Sequence, residues 1–94
     1  MLIVIGTARI TPSARDQFLA AAKIVVDETK NDDGCQAYGF YSDISDENVI
    51  VGMEIWRDRA ALDAHMSHRH TTDFLTATAS LIVGEPVVSI HEVN

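Results

Sequence analysis

Cysteine is almost absent: Cys35 is the only one in 94 residues, which excludes an internal disulfide and any zinc site built on several thiolates. A reducing cytoplasm is the expected compartment. Basic charge is scarce as well. Seven Lys and Arg stand against fourteen Asp and Glu, a net charge of −7, and Arg9, Arg15, Lys23, Lys30, Arg57, Arg59 and Arg69 are scattered along the chain. A surface of that sign repels phosphate backbones and anionic lipid, so neither nucleic acid nor membrane is an expected partner. Long apolar runs are missing too. Leu2 to Ile5 is too short for a signal-peptide core and has no basic residue ahead of it, and no stretch approaches the roughly 20 residues of a membrane span. Gly-rich phosphate loops, dinucleotide fingerprints and flavin-type signatures are not found, so no cofactor is expected and any redox chemistry must come from substrate and dioxygen. Ninety-four residues suffice for one domain, taken as 1–94, and leave nothing for a second.

What is present is regularly ordered. Leu2 to Ile10 (LIVIGTARI) is β-branched and apolar and reads as a first strand, with Gly6 where an interior glycine marks a bulge or a close approach. Thr11-Pro12 opens a helix over roughly 13–30 as cap and first-turn proline, with Ser13 and Asp16 as a competing capping box. Phe18, Ala21, Ala22, Val25 and Thr29 form its apolar stripe, and Asn31-Asp32-Asp33-Gly34 stops it in a turn. Cys35 to Ser42 is a second, aromatic strand; Asp43 to Asn48 is a hairpin connection; Val49 to Trp56 is a third strand. Asp58 is a plausible N-cap for a short helix in which Ala61, Leu62, His65 and Met66 recur at helical spacing. The chain restarts after Ser67 as a helix with His70, Phe74, Ala77 and Leu81 on one face. Gly84-Glu85-Pro86 end that helix, and Val87 to Val93 is the fourth strand.

The order is α+β, β-α-β-β-α-β with the second helical segment broken in two, which predicts a ferredoxin-like fold with an antiparallel four-stranded sheet. A right-handed crossover puts both helical segments on one face of that sheet and leaves the other bare. Yet LIVI, VIVGMEI and VVSI do not alternate apolar with polar, so both faces are expected to be buried. The economical cover is a second copy of the sheet across a two-fold axis, a homodimer.

Gly34-Cys35-x-x-Tyr38, Glu54-x-Trp56, Ala61-Leu62-x-x-His65, and then His70 and Phe74 together resemble the pattern of the antibiotic biosynthesis monooxygenase (ABM) family, over essentially the whole chain. The resemblance implies a dimeric α+β barrel with one pocket per subunit between sheet and helices. Its members include cofactor-free oxygenases of quinols and anthrones, haem-degrading enzymes and an isomerase of a phosphorylated signalling sugar. Haem-degrading members carry Asn, Trp and His at the positions matching Gly6, His65 and Leu75, so haem cleavage is not expected. Anthrone oxygenases have an Asn where this chain has Gly52. The bacterial quinol monooxygenases are most similar, sharing the Gly-Cys-x-x-Tyr turn, Glu-x-Trp and the paired histidines. The isomerase shares the histidine spacing but has Tyr at the Trp56 position and must hold a phosphate, for which seven scattered cations are poor support.

The resemblance therefore implies a cofactor-independent monooxygenase acting on an electron-rich quinol or phenol with dioxygen. Its alternatives are an isomerase of a small phosphosugar-like signal and a non-catalytic small-molecule-binding dimer. His65, His70 and Glu54 are the candidate catalytic residues; Trp56, Phe74, Leu62, Tyr38, Gly6 and Gly52 are the candidate substrate-binding residues. Each also has a plainer reading. His65 fits a hydrogen-bonded core histidine, Glu54 a partner for Arg57 or Arg59, and Trp56 and Phe74 ordinary core. Tyr38 fits either the pocket or the dimer interface, and His91 is structural. Cys35 lacks an activating partner. His65, His68 and His70 look like a metal cluster, but the helix break and the want of a Cys or nearby Asp argue against one, so no metal is expected.

Overall fold

The computed structural model describes residues 1–94. In chain order it has β1 (Leu2–Ile10), a 3₁₀ turn (Pro12–Ala14), α1 (Arg15–Thr29), β2 (Cys35–Asp43), β3 (Asp46–Trp56), α2 (Arg59–Ser67), α3 (Arg69–Thr78), a second 3₁₀ turn (Ala79–Leu81) and β4 (Ile82–Glu92). The four strands form one antiparallel sheet in the order β2-β3-β1-β4. This is the ferredoxin-like α+β arrangement. No helix is long and apolar enough to cross a membrane.

Register fixes which side chains meet. Gly6 lies opposite Gly52 and Val88, and Gly52 lies opposite Phe40, so Phe40, Gly52, Gly6 and Val88 form one row across all four strands. Their face carries the helices. Because side chains alternate along a strand, Ile3, Ile5, Val51, Met53, Ile55 and Val87 share the opposite face, where Val87 is 70% exposed and Ile5 38%. The helix-covered side holds two clusters of buried residues. Ile10, Ala14, Phe18, Ala22, Ile50 and Leu81 fill one end; Leu2, Val4, Trp56, Ala61 and Leu62 fill the other. The glycine row runs between them.

Several local expectations shift. Neither Thr11 nor Ser13 caps a helix through its side chain: the 3₁₀ turn absorbs Pro12, and Ala14 takes the N-cap position of α1. The α1 stripe is Phe18, Ala22, Val25 and Thr29, with Ala21 only half-buried. The hairpin is tighter than expected, because β2 and β3 pair as far as Asp43 opposite Asp46. Only Ile44 and Ser45 are left as the turn, where Asp43 accepts from the Ser45 amide at 2.8 Å. Asp58 does cap α2, accepting from the Ala61 amide at 2.9 Å. On α3 the buried residues are Thr71 and Thr78 rather than His70 and Ala77. Thr78 can face inward because its hydroxyl donates to the Phe74 carbonyl one turn back, at 2.8 Å. Gly84-Glu85-Pro86 do not end a helix. They lie inside β4, opposite Ala8, as an irregularity between the Thr7–Val87 and Arg9–Val83 pairs.

Gly34 closes the turn between α1 and β2 at φ +79°, and a Cβ built there would lie 2.5 Å from the Ala61 Cβ. Gly84 has φ +73° with nothing within 4 Å of a Cβ. The left-handed conformation costs an L-residue about 1–2 kcal/mol. Gly84→Ala should therefore lose about 1–2 kcal/mol in urea unfolding, and Gly34→Ala clearly more, since α2 must also move. Equal losses in the two variants would show that the Ala61 contact is unimportant.

Candidate active site

A cavity of about 370 Å³ opens between the glycine row and the helices. Val4, Phe18, Phe40, Ile50, Leu62 and Phe74 give it apolar walls, and Glu54, His65 and Thr71 give it a polar end. Its open side is marked by the exposed residues Arg59, Asp63, Met66, Leu75 and Val88. Phe18, Phe40 and Phe74 pack on one another, with ring centroids 5.4 to 6.0 Å apart. A Cβ on Gly52 would come 3.1 Å from the Phe40 ring, and one on Gly6 would lie 3.7 Å from Val88. The absent side chain at Gly52 thus makes room first for Phe40, which then becomes cavity wall.

The polar end is built from four elements. Trp56 ends β3 fully buried, and its indole N–H donates to Oε1 of Glu54, two residues back on the same face, at 3.0 Å. Burial pushes the Glu54 carboxyl above its usual range, against the Trp56 hydrogen bond and the nearby His65. His65, on α2, is 2% exposed. Its ring lies over Trp56 at a centroid distance of 4.6 Å and beside the edge of Tyr38 at 5.3 Å. Its Nδ1 is 2.8 Å from Oδ2 of Asp32 and its Nε2 is 4.0 Å from Oε1 of Glu54. Thr71 Oγ1 lies 3.2 Å from the same Nδ1. Asp32 projects from the turn after α1 and is 6% exposed in its side chain. His70 reaches the same Oδ2 through Nε2 at 3.0 Å, and His68 Nε2 stands 3.8 Å from Oδ1.

The tautomer of His65 follows from this geometry. Burial raises the Asp32 carboxyl, but hydrogen bonds from His65 and His70 and the charges of His70 and His68 hold it below its ordinary value. An ionised carboxylate only accepts, so His65 donates from Nδ1, and in the neutral ring the lone pair is on Nε2, facing Glu54. Cys35, by contrast, is not activated. Burial, then the charges of Asp32 and Glu54, push its thiol up.

Among the residues singled out from the sequence, His65, Glu54, Phe74, Leu62, Tyr38, Gly6 and Gly52 all line the cavity. Tyr38 faces it because it pairs with Glu54 in the sheet, and burial with the Glu54 charge holds its phenol well above the usual value. Trp56 and His70 do not line it. Trp56 lies behind His65, and His70 lies behind Asp32, so both touch the site through another residue. Glu54 pairs with neither Arg57 nor Arg59; Arg57 is engaged by Asp33 and Asp58, each at 3.2 Å. The expectation that no Asp stands near the histidines also fails: donor atoms of Asp32, His65 and His70 all lie within 4.8 Å of one another. Asp32 was legible only as a turn residue, because its partners are 33 and 38 residues away.

Together these features define a small α+β protein with a half-open apolar cavity and a carboxylate-braced histidine at its polar end. Residues 1–77 match the model of the antibiotic biosynthesis monooxygenase (ABM) family, and the chain belongs to that family. A crystal structure of an antibiotic biosynthesis monooxygenase superposes with a TM-score of 0.94 at 31% identity, covering 100% of this chain and 99% of that one. YcnE of Bacillus subtilis, provisionally named a monooxygenase, is 26% identical over 87% of this chain and 86% of its own length. The Synechocystis protein sll1783, whose name assigns no activity, is 26% identical over 98% of this chain, which spans 63% of that protein's length.

Glu54 and Asp32 predict opposite pH effects. The Glu54 carboxyl is raised on folding, so the stability it contributes is present below its unfolded value of 4.5 and lost as pH rises through the folded value. For Asp32, lowered on folding, stability is present above 3.8 and lost as pH falls through the folded value. Glu54→Gln keeps an oxygen for the Trp56 indole and removes the charge. Urea unfolding from about pH 4 to about pH 7 should therefore show the variant gaining on the wild type as pH rises; parallel curves would refute the burial effect at Glu54.

Proposed function

We propose that this protein is a cofactor-independent oxygenase that oxidises an electron-rich quinol or phenol with dioxygen. The observation that carries the reading is His65, whose Nδ1 is held by Asp32 while its Nε2 faces Glu54 across 4.0 Å at the polar end of the cavity. That gap is too long for a direct hydrogen bond and suits one hydroxyl oxygen placed between the two groups. The substrate ring lies against Phe74, Phe40 and Leu62, with its hydroxyl in the gap. His65 Nε2 takes the proton, and Asp32 steadies the imidazolium as it forms. Glu54, shifted by burial toward the neutral acid, donates to the resulting phenolate oxygen in the molecules in which it is protonated. The anion yields an electron to dioxygen far more readily than the neutral phenol does. For a quinol, the superoxide recombines with the ring radical, and loss of water leaves a hydroxylated quinone. One oxygen atom enters the ring, the other leaves as water, and the substrate supplies all four electrons. Arg59, the one Lys or Arg lining the cavity, would be a phosphorylated sugar's only fixed cationic contact there, so the oxygenase reading is preferred to the isomerase.

We further infer that the working unit is a homodimer. The sheet face opposite the helices is apolar across Ile3, Ile5, Val51, Met53, Ile55 and Val87, and nothing in this chain covers it. A copy of the same sheet is the cover its composition fits, with a total buried area of about 1,600 Å² or more. Light scattering at micromolar concentration should return twice the chain mass; a monodisperse monomer would rule the dimer out.

Oxygen uptake with a panel of quinols and phenols tests the chemistry. His65→Ala should cut turnover by about 10² to 10⁴ while circular dichroism stays unchanged. Wild-type rates in that variant would remove His65 from the mechanism, and no uptake by the wild type with any compound would favour a binding module.

A further inference from the structure

Asp32 is a carboxylate with 6% of its side chain exposed, and its ion-pair neighbours are all histidines: His65, His68 and His70. Buried charges are ordinarily matched by a fixed opposite charge or by a metal, and here no Lys or Arg stands within ion-pair distance. We propose that Asp32, His65 and His70 form a binding site for a zinc-class divalent cation, and that the bound ion holds His65 in a form that cannot accept a proton.

The geometry supports the site on several counts. A zinc ion about 2.1 Å from each donor spaces neighbouring donors by about 3.0 to 3.4 Å. Oδ2 of Asp32 already lies 2.8 Å from His65 Nδ1 and 3.0 Å from His70 Nε2, and all three donors lie within 4.8 Å of one another, so the Asp32 pairs need open by only a few tenths of an ångström while the two imidazole nitrogens turn toward a common ion. The donors are a carboxylate and imidazoles, the set that suits zinc and its first-row neighbours. They are also well anchored. The Asp32 amide donates to the Thr29 carbonyl at 3.0 Å and its carbonyl accepts from the Cys35 amide at 3.1 Å. His65 lies in the last turn of α2 and His70 in the first turn of α3. The break between those helices lets both rings face one turn. His68, at the break, is 45% exposed in its side chain and gives the ion a way in from solvent, and Thr71 Oγ1, 3.2 Å from the same Nδ1, adds a neutral oxygen beside the site.

The consequence for His65 is a change of role. Coordination uses the Nδ1 lone pair, so the ring proton moves to Nε2, with no net proton released if the ring was neutral beforehand. Nε2 then becomes a donor aimed at Glu54. On the oxygenase reading the ion is an inhibitor and not a cofactor. Its binding needs no substrate, so this proposal can fail while that reading stands, and the reverse.

The test uses the full chain, stripped with a chelator and dialysed against micromolar zinc chloride. One zinc per chain should be retained, and cobalt in a parallel sample should give visible ligand-field bands. His70→Ala should weaken retention by at least the roughly 10- to 100-fold typical of losing even an outer partner of a metal site. His91→Ala should leave it unchanged, because His91 lies on β4 and meets Ser89 at 3.0 Å. In the unaltered chain, zinc should also protect His70, whose side chain is 17% exposed, from diethyl pyrocarbonate, a reading that requires no variant to fold. Failure to retain zinc, undiminished retention in His70→Ala, or an unprotected His70 in the zinc-loaded chain would each overturn the proposal.

Discussion

A carboxylate that is 6% exposed must find donors inside the protein, and the contacts of Asp32 organise the polar half of this molecule. Its Oδ2 ties the turn after α1 to α2 through His65 and to α3 through His70. A single oxygen thereby links three segments that are remote in sequence. Hydrogen bonds to charged acceptors are worth about 1.5–3 kcal/mol each, and a buried charge stripped of them costs more. The same bonds fix the orientation of the His65 ring over Trp56, and with it the direction in which Nε2 points.

The apolar half rests on a different constraint. Two buried clusters hold the ends of the sheet against the helices, and Gly6 and Gly52 interrupt the packing between them. Side chains there would fill the space from the strand side. Phe40 instead lies over Gly52 from the neighbouring strand, while the other phenylalanines complete the wall. The cavity is therefore set by where side chains are missing on the sheet as much as by where they stand on the helices.

Most of the fold was legible in the sequence because strand and helix periodicities are local. LIVIGTARI gives β1 to the residue, and Asp58 is a working cap three residues before Ala61. What was misread depended on contacts local patterns do not carry. Thr71 and Thr78 face inward because His65 and the Phe74 carbonyl satisfy their hydroxyls. Gly84-Glu85-Pro86 look like a terminator and are a strand irregularity, because pairing with β1 outweighs the local turn signal. At the site, His65, Glu54 and the cavity-wall residues stood out by type and spacing, and they line one cavity. Asp32 did not, since in a stretch rich in turn formers an acidic residue attracts no notice. Trp56, a candidate substrate contact, lies behind His65, and His70, a candidate catalytic residue, meets His65 only through Asp32.

The irregularity in β4 also interrupts an open edge of the sheet. β4 is an edge strand, and its outer ladder of N–H and C=O groups could template an incoming strand. Pro86 offers no N–H, Gly84 turns the backbone to φ +73°, and Glu85 adds a charge to the same three residues. A second strand approaching that edge would find its hydrogen-bonding run cut short beside Ala8. The bulge thus shortens the ladder through which the sheet could grow sideways into filaments.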